Sequence, residues 1–138
     1  MGLDTTHDAW HGAYSAFNRF RAAVCKAAGG AWPPHEPGTR VDGEPCLDNR
    51  MWYVPESVTR DKYPGLYEFL CHEDCEGSIA PDMCAKVADD LEALLPTLDE
   101  MGLDWGHLER CGGPGGAARK FIAGCRAAHV AGEPLEFH

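Results

Sequence analysis

The chain has no apolar run approaching the ~20 residues that a membrane-spanning helix needs, so no span is expected. It is poor in positive charge, with 12 Lys and Arg against 22 Asp and Glu and a formal charge of −10. Such a surface repels phosphate backbones and anionic bilayers, which argues against nucleic acid and membranes as direct partners. Paired Cys-x-x-Cys spacing, the basis of a zinc knuckle, is missing. Cys71 and Cys75 are spaced Cys-x-x-x-Cys, and no second pair follows. The seven cysteines are odd in number, and the N-terminus has no basic region followed by an apolar run. A secreted disulfide framework is therefore not expected, and reduced thiols in a cytoplasm are. Glycines precede a helix carrying Arg119 and Lys120, which is a possible phosphate cradle. No Gly-Lys-Ser/Thr follows them, so the nucleotide-binding-loop pattern fails.

What is present fits one small soluble domain over residues 1–138. A hydrophobic content of 44% is enough for a core. Sixteen glycines and ten prolines favour short elements and loops over a long bundle. The expected class is α+β and predominantly helical, with about four helices, a short terminal strand pair and a polar turn.

Apolar periodicity predicts a helix over residues 13–28, ended by Gly29-Gly30. Ala13, Phe17, Phe20, Val24 and Ala27 share its inner face, with Tyr14, Asn18 and Arg21 along the edge and Arg19 and Lys26 in solvent. The opening residues allow two readings. A helix could start at Thr5 with Asp8 completing a capping pair. The preferred reading is a short strand near residues 3–6, a loop holding His7, Asp8 and His11, and a helix capped at Gly12. The alternating ending, Pro134 to His138, could pair with that strand. Residues 31–63 read as a long irregular excursion suited to a lid or partner surface, with a short strand or packed loop at residues 51–54. A helix over residues 64–71 places Leu66, Phe69 and Leu70 inward. Pro81 opens another, which Pro96 is expected to stop. Residues 111–116 read as a flexible linker. A last helix over residues 117–131 turns Phe121, Ile122, Cys125 and Val130 inward. Cys25, Cys84 and Cys125 fall at apolar helical positions and read as core.

Between the two middle helices lies His72-Glu73-Asp74-Cys75-Glu76-Gly77. With Gly77 as the sixth position, this turn resembles the calcium loop of an EF-hand, Asp74 and Glu76 taking the third and fifth positions. His72 at the first and Met83 at the twelfth depart from that loop and disfavour calcium. His72 and Asp74 suit a transition metal better. If His7 and His11 converge on them, the set could hold zinc or manganese and activate water. The simpler account is that His72 and Asp74 fix the turn through backbone hydrogen bonds. Cys75, between two carboxylates, is a poor nucleophile. A metal-free pocket is the further alternative, with Trp10, Tyr14 and His72 as stacking surfaces. Asp8, Ser15, Asn18 and Arg21 would supply polar contacts, a set suited to a small polar ligand such as a nucleotide. Trp10 and Tyr14 could equally be core residues, and for Trp10 the core reading is preferred.

The opening Gly2-Leu3-Asp4-Thr5-Thr6-His7-Asp8-Ala9-Trp10-His11-Gly12, continuing to Arg21, resembles a family of small uncharacterised bacteriophage and prophage proteins. The turn at residues 72–77 and the ending Gly132-Glu133-Pro134-Leu135-Glu136-Phe137-His138 resemble it too. Glu73 departs, since the family pattern has Ser there. The resemblance implies a phage setting in the host cytoplasm and no particular activity. The leading expectation is a non-catalytic accessory protein that binds a small polar ligand, in an anti-defence or other host-modulating role. A small His/Asp metal-dependent hydrolase is the alternative. A third is an acidic module that docks on and inhibits a host protein through Asp89, Asp90 and Glu92.

Overall fold

The computed structural model describes residues 2–29, 40–41, 44–45, 58–71 and 77–138. The chain order is β1 (Gly2–Asp4), β2 (His11–Ala13), α1 (Tyr14–Ala27), β3 (Arg40–Val41), β4 (Glu44–Pro45), α2 (Pro64–Cys71), β5 (Ser78–Ile79), α3 (Pro81–Glu100), α4 (Gly113–Ala131) and β6 (Leu135–Glu136). The fold is α+β and predominantly helical, as the sequence predicts. The expected strand or loop at residues 51–54 and most of the 31–63 excursion lie outside the described residues. So does the EF-hand-like turn with His72, Asp74 and Cys75.

α3 and α4 form the central helix pair, with α2 packed on α3 and α1 against both. The core is built on aromatic rings. All five phenylalanines join one cluster centred on Phe17, whose ring lies 5.1–6.3 Å from those of Trp10, Phe20, Phe69, Phe121 and Phe137. One ring thus ties α1 to α2, α4 and the residue that follows β6. Leu66, Phe69 and Leu70 are buried, and Cys25, Cys84 and Cys125 are fully enclosed free thiols, as their spacing predicts. Burial pushes the Cys25 thiol up to about 11. Cys125 is raised by its hydrogen bond to Cys84 and by burial.

The termini meet as expected, through an antiparallel bridge between Thr5 and Phe137. Asp4 and His138 exchange both backbone hydrogen bonds at 2.8 Å. Each terminus has its main strand partner elsewhere: β1 pairs with β2, and β6 with β5. α1 is preceded by Ala13 rather than Gly12 at its cap.

Three further expectations change. Pro96 lies inside α3, which runs on to Glu100. Proline in a helix interior costs about 3 kcal/mol. Beyond it, Leu98 is fully buried and Asp99 forms a bidentate pair with Arg119 of α4, so tertiary contacts hold the last turn. The glycine run is not a linker, because Gly113 to Gly116 form the first turn of α4. Side chains there would collide with the Asp99 carboxylate at Gly115 and the Cys111 carbonyl at Gly116. Val130 is 86% exposed. At ~100° per residue it falls opposite Phe121.

Candidate functional site: a basic cleft beside the first hairpin

The β1–β2 hairpin sets one wall. Its turn, Thr6–Asp8, holds His7 and Asp8 at φ 57° and 56°, a left-handed conformation uncommon for residues other than glycine. Thr5 clamps the turn: its N–H donates to the Trp10 carbonyl at 3.0 Å, and its Oγ1 accepts from the Trp10 N–H at 2.9 Å. The clamp drives Trp10 inward, where its ring stacks on Phe20 with centroids 5.8 Å apart. Gly124 of α4 has no side chain where Ala9 approaches, so the hairpin lies directly on the helix.

The opposite wall is the connection between α3 and α4, made of two short 3-10 turns at Trp105–His107 and Glu109–Cys111. Leu108, buried, anchors it. His107 is also left-handed, at φ 58°.

Between these walls lies a cavity of about 500 Å³, with Trp10 and Gly12 on the hairpin side, Ala16 and Arg19 on α1, and His107 and Arg110 opposite. A second lobe of about 210 Å³ shares Trp10, His11, Arg110 and Cys111 and extends to Lys120. Positive side chains therefore converge on one concavity of an acidic protein. Two donors there, Trp10 Nε1 and Arg19 Nε, are buried without a hydrogen-bond acceptor. Desolvation raises the Cys111 thiol, an effect that Lys120 partly offsets, so this cysteine is not an activated nucleophile.

Of the residues singled out by sequence, the structure brings Trp10 and His11 to the cleft. The His11 imidazole hydrogen-bonds Asp4 on the facing strand. His7 turns instead to Glu133, 3.4 Å away, and Asp8 lies 3.7 Å from Lys120. Tyr14 packs half-buried against the core, Ser15 is exposed and Asn18 is half-buried. Arg21 is fully buried: it donates to the Leu70 carbonyl at 2.8 Å and lies over the Phe17 ring. That contact fixes the chain just before residues 72–76. The Gly77 carbonyl, which accepts from Phe137 N–H at 3.0 Å, fixes it just after. His72, Asp74 and Cys75 themselves lie outside the described residues. Among the described residues, no group of three or more His, Cys, Asp or Glu is placed to hold a metal ion.

The carboxylates expected to dock a partner have internal roles. Asp90 accepts from the N–H groups of Gly65 and Leu66 at the start of α2. Glu92 and Asp89 pair with Arg126. Sequence reasoning missed Arg110 and His107 and assigned Arg19 to solvent. The available signal was global: few cations in the chain, hence interest in where they gather. Among the described residues, no helix is long and apolar enough to cross a membrane. Comparison with protein-family models, curated proteins and solved structures gives no match.

Proposed function

We propose that the chain is a non-catalytic binding protein for a small polar ligand, seated in the cleft between the first hairpin and the α3–α4 connection. The observation that carries this reading is the pairing of a cavity with buried, unmatched donors. Trp10 is 3% exposed, lines the cavity and has no acceptor for its indole N–H. A buried donor without a partner costs about 1–3 kcal/mol, and a ligand oxygen would remove that cost. The volume of about 500 Å³ lies within the range of small-molecule sites. The opening and ending motifs suggest the setting, an accessory protein of a phage acting in its host's cytoplasm.

The test is a thermal-shift panel of nucleotides, nucleosides, amino acids and sugars against the wild type and Ala13→Trp. Ala13 is an exposed residue of the cleft wall, and tryptophan there would block the opening. A ligand that binds the folded state alone raises the unfolding midpoint. The expected result is a shift in the wild type that the blocked variant loses. No shift from any compound, or an equal shift in both proteins, would overturn the reading.

A further inference from the structure

The arginines of the described chain sort by what they touch. Arg119 pairs with Asp99, and Arg126 with Glu92 and Asp89. Arg21 donates to the Leu70 carbonyl, and Arg60 lies over the Tyr67 ring. Among the arginines whose side chains are described, Arg19 and Arg110 have neither a carboxylate nor a ring partner, and both line the same cavity. Lys120, in the adjoining lobe, has a loose pair with exposed Asp8 at 3.7 Å. The His11 imidazole is engaged by Asp4.

Uncompensated guanidinium groups are unexpected in a chain of formal charge −10, where carboxylates are in excess. A concavity lined by one sign of charge focuses the field and concentrates counter-ions. The guanidinium fork matches phosphate oxygens with two parallel hydrogen bonds. From this juxtaposition, and resting on the ligand-site reading above, we infer that the cleft takes a phosphate-bearing small molecule. Its phosphate sits where the two lobes meet, at Arg110 and the Trp10 indole N–H, with Arg19 lining one lobe and Lys120 the other. A polyanion would meet the acidic surface outside the cleft, whereas a small phosphate compound would not.

Calorimetric titration of the full chain at low ionic strength tests this, with orthophosphate, pyrophosphate, adenosine monophosphate, adenosine and citrate as probes. The phosphate compounds are expected to bind saturably, and adenosine and citrate far more weakly. Arg110→Gln should weaken pyrophosphate binding at least about tenfold, as loss of a charge-assisted bidentate contact would. Arg126→Gln removes the same charge from a residue outside the cleft and should change affinity by no more than about twofold. Equal losses in the two variants, or citrate binding as tightly as pyrophosphate, would overturn the phosphate assignment. A phosphate-free ligand that binds and is blocked by Ala13→Trp would overturn the assignment while leaving the small-ligand reading standing. Failure of every probe and every panel compound would remove both.

Discussion

Asp90 offers a quantitative check on how the middle of the molecule is held. α2 has eight residues, too few to be stable alone. It begins with Pro64, which has no N–H to satisfy. The next two donors, on Gly65 and Leu66, go to Asp90 Oδ2 at 2.8 and 3.0 Å, and Tyr67 N–H goes to the Tyr63 carbonyl at 3.0 Å. The first donors of α2 are thus satisfied, two of them by a residue of α3. A side chain on Gly65 would collide with the α3 backbone at Lys86 and Val87, so the two helices are already in close contact there. Losing a capping acceptor costs about 1–2 kcal/mol, and losing a negative charge at a helix start about 0.3–1 kcal/mol. Asp90→Ala should therefore destabilise by about 2 kcal/mol, read as a lower urea midpoint at unchanged slope. The thermal midpoint should fall by roughly 6–10 °C. Asp90→Asn keeps an acceptor oxygen and should lose less than half as much. A stability change within about 0.5 kcal/mol for alanine, or asparagine as damaging as alanine, would refute the capping role.

Other substitutions probe other joints. Gly124→Ala gains about 1 kcal/mol of helix propensity, yet its methyl group would overlap Ala9. A net loss of about 1–3 kcal/mol in urea unfolding is expected, and a stabilised protein would contradict the close hairpin–helix contact. Phe17→Ala empties the centre of the aromatic cluster and should cost about 3–5 kcal/mol; a loss under about 1 kcal/mol would contradict that placement. Hydrogen bonds from Arg119 and Arg126 hold the Asp99 and Glu92 carboxyls below their ordinary values. A lowered folded value favours the ionised folded form. The contribution is therefore present at neutral pH and is lost as pH falls below the ordinary values, 4.5 for Glu92 and 3.8 for Asp99, through the folded ones. The double variant Asp99→Asn, Glu92→Gln should show a shallower fall of the urea midpoint with acid than the wild type, and parallel curves would contradict the pairing.

Much of the fold was legible because apolar spacing reports one-sided burial directly. Leu66, Phe69 and Leu70 define the inner face of α2, and its limits, Pro64–Cys71, match the expected 64–71. What misled were residues whose meaning depends on distant partners. Pro96 signals a stop locally, but buried Leu98 and the Asp99–Arg119 pair carry the helix past it. Residues 113–116 look like a linker until the Asp99 carboxylate and the Cys111 carbonyl occupy the places of the missing side chains of Gly115 and Gly116. The site was half legible for the same reason. Trp10 and His11 stood out within a dense polar and aromatic opening. Arg19, His107, Arg110 and Lys120 come from three further segments, and no local pattern links them. Arg21 looked like a ligand contact because it shares an edge with Tyr14 and Asn18, yet burial commits it to the Leu70 carbonyl.

The central claim, that the cleft beside the hairpin receives a phosphate-bearing ligand at the Trp10 indole, is most directly tested by proton–nitrogen correlation spectra during a pyrophosphate titration. The Trp10 indole signal, assigned by its loss in Trp10→Phe, should move saturably, with the backbone signals of Gly12 and His107 following the same curve. An indole signal that stays fixed to the end of the titration, or moves linearly without saturating, would contradict the account.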